Sequence, residues 1–416
     1  MNNDITVSTL NEVCIKENKS IISGPFGSNI SSKFFVETGI PVIRGNNLTI
    51  GKEMFIDSGF VYITPEKANE LNCYAIKDDL IFTAAGTLGQ VGMIPSKTKF
   101  NKYVISNKQI RARINRNLVL PEYAYYWFSS PWIQKKLCNN NKGSTVPLLT
   151  LSEIKSLPIK YPQNLKKQEK VVKILSSINE QIKRNNDMVQ KLQVLTQSIY
   201  SYWFNQFEFP NEEGKPYKSS GGEMVWNEEL KREIPKDWTI LKLKDILRRV
   251  NVNIENGMSF PTIDLSVMPT EDISLNSLNN SDNFASNLSQ MFEGNILFGS
   301  IRPYLKKCGI APCDGAVAGT VYQFEEIRKE TYNYSIITMS QNSFFEYALK
   351  KSKGTRMPVV SADDLLEYSF PYNEKVFNFF NKIPLKEIII KANKSSKELI
   401  QLKEKLLPIL INGQLI

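Results

Sequence analysis

The chain has 416 residues and a net charge of +10 at neutral pH, from 52 Lys and Arg against 42 Asp and Glu. At roughly 150 residues per domain, this length predicts about two to three domains. The positive balance favours a polyanionic partner such as nucleic acid, although some surface charge also serves solubility. The sequence contains no histidine, which excludes a Ser-His-Asp or Cys-His nucleophile, a histidine general acid and a zinc site with histidine ligands.

The cysteines and the hydrophobic pattern indicate a compartment. The cysteines are odd in number and show no four-cysteine metal spacing, so we expect reduced thiols and no bound metal: Cys14, Cys73, Cys138, Cys308 and Cys313. The N-terminal segment lacks a basic-then-apolar signal pattern, and no apolar run reaches the ~18 residues of a membrane span. We therefore expect a soluble, cytoplasmic protein that does not bind membranes.

The first half of the chain alternates short strands with turns. Stretches 40–44, 79–83 and 104–114 are rich in β-forming residues and are bounded by Gly, Asn and Pro. A helical pattern follows near 121–138. Its aromatic residues are interpreted as helix core rather than as stacking platforms: Tyr123, Tyr125, Tyr126, Trp127 and Phe128.

Two glycine-containing segments in this half predict turns. Gly24–Gly27 predicts a turn that holds Phe26 as an apolar plug. Gly86–Gly92 predicts a turn between strands, because it lacks the Lys and the Ser or Thr of a phosphate-binding loop.

A long amphipathic helix ends the first half. Its apolar positions alternate steps of three and four, which is the seam of a coiled coil: Leu175, Ile178, Ile182, Asn185, Val189, Leu192, Thr196, Ile199 and Trp203. Asn185 on this seam is either a buried residue that sets the register or a surface residue of an ordinary amphipathic helix. The Gly, Pro, Ser and charge content of 205–236 indicates a linker.

The second half ends in the same way. A helical pattern near 332–350 precedes a second seam, which is weaker because two of its members are small: Leu385, Ile389, Ala392, Ser396, Leu399, Leu402, Leu406 and Leu410. A surface helix that packs on its own domain would show a similar pattern. Pairing of the two helices is the interpretation we adopt.

The two halves repeat each other. GSTVPLLTLSEI at 143–154 matches GTRMPVVSADDL at 354–365, DLIFT at 79–83 matches NILFG at 295–299, and IPVIRGNNL at 40–48 matches FPTIDLSVM at 260–268. Three matches in the same order indicate a duplicated domain. We expect an α+β fold: two similar mixed α/β domains joined by two long antiparallel coiled-coil helices with pseudo-two-fold symmetry. The predicted segments are domain one at 1–162, helix one at 163–205, a linker at 206–236, domain two at 237–382 and helix two at 383–416.

Two sets of residues suit DNA. The first set consists of candidate base readers, because Arg binds guanine and Asn or Gln binds adenine; the alternative is that they are ordinary surface residues. They are Arg44, Asn46, Asn47, Lys108, Gln109, Arg302, Lys306 and Lys307. The second set lies in two corresponding loops that suit phosphate groups or, alternatively, form solvated helix ends: Lys142, Ser144, Thr145, Lys351, Lys353 and Arg356. We find no carboxylate and lysine set typical of a nuclease and no base-holding motif of an amino-methyltransferase, so no catalytic residue is predicted.

Several motifs resemble one family. SGPFGSNI at 23–30, GIPVIRGNNL at 39–48, DLIFTAAGTLGQVG at 79–92 and GSTVPLLTLSEI at 143–154 are similar to motifs of the specificity subunits of type I restriction-modification systems. The resemblance covers almost the whole chain. It implies that each domain is a target-recognition domain that reads one half of an asymmetric, bipartite site in double-stranded DNA.

The resemblance also implies partners. The helices would set the spacing of the half-sites and dock two methyltransferase subunits, and restriction/translocase (motor-nuclease) subunits would join them. The chain itself would bind no cofactor, with S-adenosylmethionine, ATP and Mg²⁺ on the partner subunits. Two alternatives remain: a nuclease or methyltransferase with fused recognition domains, and a coiled-coil scaffold that binds only proteins.

Overall fold

The computed structural model describes residues 5–50, 53–139, 148–254, 259–284 and 288–411. The chain divides into two compact units. The first unit contains Met1–Glu180 and Ile400–Ile416, and the second contains Gln181–Leu399. Both divisions fall inside long helices, so each of these helices contributes residues to both units.

The first unit consists of short strands and helices that end in one long helix. Its strands are β1 Ile5–Thr9, β2 Ile21–Ser23, β3 Ile40–Ile43, β4 Val61–Ile63, β5 Tyr74–Ala75, β6 Asp79–Thr83, β7 Val91–Met93, β8 Tyr103–Ile105, β9 Gln109–Arg113 and β10 Pro158–Pro162. Its helices are α1 Leu10–Val13, α2 Pro65–Leu71, α3 Pro121–Phe128, α4 Pro131–Asn139, α5 Leu151–Lys155, the start of α6 Leu165–Tyr200 and the end of a further long helix that finishes at Ile411. The aromatic residues of α3 are all buried, which confirms the prediction of helix core.

The second unit has a similar composition. Its strands are β11 Met224–Asn227, β12 Arg232–Pro235, β13 Thr239–Lys242, β14 Leu247–Val250, β15 Pro261–Ile263, β16 Asn279–Asn280, β17 Leu288–Met291, β18 Ile296–Gly299, β19 Cys308–Ile310, β20 Gly315–Ala318, β21 Val321–Glu326 and β22 Ser369–Tyr372. Its helices are the end of α6, α7 Tyr332–Met339, α8 Asn342–Lys351, α9 Ala362–Leu366, α10 Glu374–Phe380 and the start of α11 Leu385–Ile411.

The two units share one topology. The strand order β2-β9-β6-β7 in one sheet of the first unit corresponds to β14-β21-β18-β19 in the second. The order β4-β3-β8-β5 corresponds to β16-β15-β20-β17, and both sheets contain one parallel pair at the same place. The pair β1-β10 corresponds to β13-β22. The predicted duplication of a mixed α/β domain is therefore confirmed.

The strongest repeated motif has a local physical cause. The side chain of Thr150 accepts a hydrogen bond from the backbone N–H of Glu153, and the Glu153 carboxylate accepts one in return from the backbone N–H of Thr150. This capping box starts α5. Ser361 accepts a hydrogen bond from the backbone N–H of Asp364 at the start of α9. The shared hydroxyl and acid of the two motifs are thus the start signals of equivalent helices.

The two long helices pair in antiparallel order. Asn185 of α6 donates hydrogen bonds of 3.2 Å to the hydroxyl groups of Ser395 and Ser396 in α11. Asn179, earlier in α6, accepts one of 3.1 Å from the ammonium group of Lys403, later in α11. Asn185 is only 8% exposed, so it is a buried seam residue and not a surface residue of an ordinary amphipathic helix. Such a buried polar contact favours one register of the helix pair.

One part of the second seam was predicted wrongly. Leu402 is 45% exposed, whereas Leu407 and Leu410 are buried in the first unit. Lys403 takes the expected place of Leu402: its stem is buried while its ammonium group bonds to Asn179. The burial lowers the pKa of Lys403. The remaining seam residues are buried or half-buried: Leu175, Ile178, Ile182, Val189, Leu192, Ile199, Leu385, Ile389, Leu399 and Leu406.

The segment between the domains is folded, in contrast to the expected linker. It contains the antiparallel pair β11 and β12, which is joined by a turn. Phe207 and Phe209 are buried against Trp238 in the core of the second unit. The composition of 206–236 reflects surface turns, while its few aromatic residues provide the packing.

Among the described residues, no helix is both long enough and apolar enough to cross a membrane.

Candidate nucleic-acid interface

A cleft of about 550 Å³ opens in the first unit where several strands end. Its walls are the segment after β3, the segment after β6 and the turn between β8 and β9. Eight of the polar residues that line it are Arg44, Asn46, Thr83, Gln90, Ser106, Asn107, Lys108 and Gln109. Four of these eight were predicted from the sequence as base readers. The fold thus brings Arg44, Asn46, Lys108 and Gln109 together in one place.

Two donors of this cleft are buried without partners. The Nε of Arg44 and the Nε2 of Gln109 have no hydrogen-bond partner among the described residues. Gln109 is 1% exposed, and its carbonyl oxygen already accepts a hydrogen bond from the hydroxyl of Ser106. A buried donor without a partner costs about 1–3 kcal/mol. The cleft therefore suits a ligand that presents hydrogen-bond acceptors. Lys108 is exposed beside it and adds positive charge.

Asn47 was predicted to read bases, and this prediction is wrong. It is fully buried, and its amide donates hydrogen bonds to the carbonyls of Ile56 and Ser58 at 3.1 and 2.8 Å. Its carbonyl oxygen accepts one from the backbone N–H of Arg44. Asn47 therefore shapes the loop that presents Arg44. Asn46 is exposed, but its amide bonds to the carbonyl of Gly59 at 3.0 Å.

Gln90 holds the same loop from the other side, although nothing in its sequence context marks it as a functional residue. Its amide donates hydrogen bonds to the carbonyls of Gly45 and Leu48 at 3.1 and 3.0 Å. In the second unit the ammonium group of Lys307 bonds to the carbonyls of Leu265 and Met268 at 2.7 and 2.6 Å. The repeat pairs Gly45 with Leu265 and Leu48 with Met268, so Gln90 and Lys307 have the same task.

Lys306 and Lys307 were both predicted as base readers, and this prediction is wrong, because both ammonium groups bond to other groups of the protein. Lys307 holds a loop, as described, with its ammonium group bonded to two carbonyls. Lys306 forms an ion pair with Glu271. Extension of the repeat from 79–83 and 295–299 toward β7 and β19 aligns Lys307 with Gln90, but the role that they share is visible only in the structure.

The remaining candidates of the second unit gather at two adjoining loops. The backbone N–H of Arg302 bonds to the carbonyl of Pro358 at 2.7 Å, and Ile301 pairs with Val359. Lys353 and Val359 exchange two backbone hydrogen bonds of 2.9 Å. Arg302, Lys353 and Arg356 are all exposed on these loops. Lys351 is exposed as well, with its ammonium group 5.8 Å from the ring centre of Tyr347.

Arg302 has a left-handed backbone, with φ of 52°. The matching position in the first unit is Gly86, with φ of 98°, because Ala85–Leu148 and Ile301–Val359 form the same bridge. A side chain in this conformation costs roughly 1–2 kcal/mol, which glycine avoids. The second unit thus keeps an exposed arginine where the fold itself favours glycine.

Three predicted phosphate contacts, Lys142, Ser144 and Thr145, lie outside the described residues. No cluster of carboxylate or cysteine side chains that could hold a metal occurs in the described ranges. The segment that begins at Gly86 joins β6 to β7, as expected for a turn between strands. Phe26 is not the plug we expected, since it is 84% exposed.

The chain is basic and has two domains of one topology, and the first of them carries a cleft lined by hydrogen-bond donors. Residues 2–194 match the family model described as type I restriction modification DNA specificity domain. The chain is 24% identical, over 96% of its length and 93% of the relative, to the type I restriction enzyme MjaIX specificity subunit of Methanocaldococcus jannaschii. It is 22% identical to the EcoDI specificity subunit of Escherichia coli, over 74% of this chain and 69% of that one.

A solved structure has the same fold. The crystal structure of a type I restriction-modification system S subunit from M. genitalium matches with a TM-score of 0.57 and 14% identity, over 99% of this chain and 97% of that one. Over almost its whole length, the chain is thus similar to the specificity subunits of type I restriction enzymes.

Proposed function

We propose that each unit reads one half of an asymmetric, bipartite DNA site. The observation that carries this proposal is the cleft of the first unit, where Arg44 and Gln109 present buried donors without partners. Guanine offers two acceptors, N7 and O6, in the major groove, and an arginine side chain matches them. Lys108 next to the cleft suits a phosphate group.

The second half-site differs because the second unit differs at matching positions. The repeat places Asp264 where the first unit has Arg44, and Arg302 where it has Gly86. Asp264 lies in the loop that follows β15, and its carboxylate accepts a hydrogen bond of 2.8 Å from the amide of Asn279. An arginine and an aspartate at one position offer donors in one unit and acceptors in the other, so they cannot favour the same base.

The direct test is to express the chain with the methyltransferase subunit of its system and to map methylated bases across a genome. We expect one motif with two unlike halves and an unspecified spacer. Methylation without a sequence motif, or at one continuous motif without a spacer, would contradict the proposal. Cleavage or methylation by the chain alone would favour the alternative of an enzyme with fused recognition domains. Stable assembly without DNA affinity would favour the scaffold.

Replacement of Arg302 with glycine separates recognition from folding. We expect the variant to be more stable by up to about 1 kcal/mol, because the strained backbone is relieved. We also expect DNA affinity of the assembled complex to fall about ten-fold, because a charged contact is lost. Thermal unfolding of the chain and fluorescence anisotropy with the mapped site measure the two effects.

Lys306→Gly is the matched control, because Lys306 has φ of 53° and is paired with Glu271. It should gain backbone stability in the same way and leave DNA affinity unchanged. Equal DNA affinity of the Arg302→Gly variant and the parent chain would remove Arg302 from the interface.

The helices supply the docking surface for the methyltransferase subunits in this proposal. Met188, Leu195 and Tyr202 follow one another at intervals of seven residues, so they share one face of α6 and of the π-helical turn Ser201–Asn205 that follows it. They are 46%, 57% and 40% exposed, and Val194 beside them is 62% exposed. An apolar stripe of this length on a paired helix is typical of a surface that receives another helix.

Leu195→Lys is expected to weaken assembly with the methyltransferase subunit about ten-fold, because it places a charge in an apolar contact. Analytical ultracentrifugation of the mixed subunits measures the change. Asn186→Lys is the control: Asn186 is exposed and lies nine residues from Leu195, on the opposite side of α6, so its variant should assemble normally. Unchanged assembly with Leu195→Lys would place the docking surface elsewhere.

The further parts of the proposal follow the same family. Restriction/translocase subunits would join the assembly through the methyltransferase subunits. S-adenosylmethionine, ATP and Mg²⁺ would bind those partners, and this chain would supply only DNA recognition and the spacing of the half-sites. Two methyltransferase subunits per chain would match the two recognition units.

A further inference from the structure

Phe26 is an apolar side chain that the protein holds in solvent. It is 84% exposed, the highest fraction among the large apolar side chains of the described residues. A phenylalanine that folding leaves exposed contributes none of the roughly 1.5–3 kcal/mol that its burial would provide. The ring is thus available to a partner.

The backbone around Phe26 is held on both sides. A Cβ on Gly24 would lie 1.8 Å from the carbonyl oxygen of Ser106, so only glycine fits there. The backbone N–H of Gly24 bonds to the carbonyl of Gln109 at 2.9 Å, and the carbonyl of Phe26 accepts a hydrogen bond of 2.9 Å from Asn29. Pro25 restricts the chain between these contacts. These contacts fix the backbone that carries the ring, which lowers the entropic cost of binding through it.

The same contacts place Phe26 beside the cleft. Ser106 and Gln109, against which Gly24 packs, both line the cleft. A Cβ on Gly27 would lie 3.0 Å from the amide of Asn107, which is another lining residue. Ile30, at the end of the turn that follows, lines the cleft and is buried in the core. Phe26 therefore projects from a loop that is fixed to the polar residues of the cleft.

We propose that Phe26 enters the DNA duplex as a wedge between base pairs next to the first half-site. Apolar side chains inserted at a base step unstack it partly and bend the duplex, and the bend permits more protein contacts. The donors of the cleft would hold a base edge, while the ring occupies the neighbouring step. This inference rests on the proposed DNA-reading function of the first unit.

The test uses the assembled complex of the chain and its methyltransferase subunit with the mapped DNA site. 2-Aminopurine is placed in turn at each position beside the first half-site, because its fluorescence rises when it is unstacked. We expect a rise at one step with the parent chain and no rise with Phe26→Ala. Affinity for the site should fall about ten-fold in that variant, and the salt dependence should stay the same because no charge is removed.

Two comparisons keep the wedge distinct from other roles. Val7→Ala removes a 63% exposed side chain from β1 in the same unit, and it should change neither fluorescence nor affinity. Phe26→Trp should keep the fluorescence rise, since a large apolar ring remains. A fluorescence rise that persists in Phe26→Ala, or loss of subunit assembly in that variant, would overturn the wedge. Absence of sequence-specific binding by the parent complex would instead overturn the proposed function.

Discussion

Asp79→Asn is expected to destabilise the first unit by about 3–5 kcal/mol, the usual effect of leaving a buried charge without its partner. Asp79 is fully buried at the start of β6. Its carboxylate bonds to the guanidinium of Arg113 at 2.8 and 2.9 Å and lies 3.8 Å from that of Arg111. It also accepts a hydrogen bond of 2.9 Å from the backbone N–H of Ile76.

The two arginines depend on Asp79 to different degrees. Burial lowers the pKa of Arg111, whose side chain is 4% exposed. The hydrogen bond to Asp79 raises the pKa of Arg113, whose side chain is 30% exposed. After the loss of Asp79, Arg113 can turn toward water, but Arg111 cannot. We therefore expect Arg111 to account for most of the destabilisation.

The second unit provides a matched rescue. In the second unit Asn295, just before β18, stands at the position of Asp79, and Gln323 of β21 stands at the position of Arg111, so this unit folds with neutral residues at both positions. The double variant Asp79→Asn with Arg111→Gln should recover much of the lost stability. Urea unfolding, monitored for the two units separately, measures it. A loss below about 1 kcal/mol for the single variant, or a further loss in the double variant, would show that the charges are not coupled as described.

The second large effect is expected at the cleft. Arg44→Ala should lower methylation of the mapped site up to about a hundred-fold and relax the motif only in its first half, since one good base contact contributes about 1–3 kcal/mol of discrimination. Folding should be little affected, because the contact of Arg44 with Asn47 uses the backbone N–H and not the side chain. Methylation mapping and DNA affinity measurements at several salt concentrations check both expectations.

Two variants distinguish base reading from charge. Arg44→Lys keeps the positive charge but not the planar donors, so it should restore affinity without restoring the motif. Lys108→Ala should weaken binding to all sequences and reduce the salt slope by about 1, as expected for one phosphate contact. An Arg44→Ala complex with an intact motif and a reduced slope would make Arg44 a phosphate contact.

The duplication and the local elements were accessible from the sequence, because they depend on short-range signals. The three matched motifs lie on β3 and β15, on β6 and β18, and at the starts of α5 and α9. The heptad spacing predicted both long helices, and Asn185 on the seam is buried, which is one of the two interpretations that the pattern allowed. Hydrogen bonds between neighbours in sequence and the period of the apolar residues are sufficient for such conclusions.

The use of individual polar residues required the tertiary structure. Lys307 and Asn47 had the chemistry of DNA contacts, but each bonds to backbone carbonyls of a loop more than five residues away in sequence. Leu402 fitted the helical pattern better than Lys403, yet Lys403 finds a bonding partner on α6 and so tolerates burial. Phe26 had the character of a core residue and lies in solvent.

The sequence by itself therefore determined the repeated α+β domains, the two long helices and the basic, DNA-suited character of the chain. Only the tertiary structure decided which candidates share a cleft, which ones support loops and which side chains remain exposed. The physical reason is that composition and periodicity describe what a residue offers, whereas hydrogen-bond satisfaction depends on groups that come close only after folding. Arg44 and Gln109 are 65 positions apart in the sequence. They line one cleft only because the fold places the end of β3 next to the turn before β9.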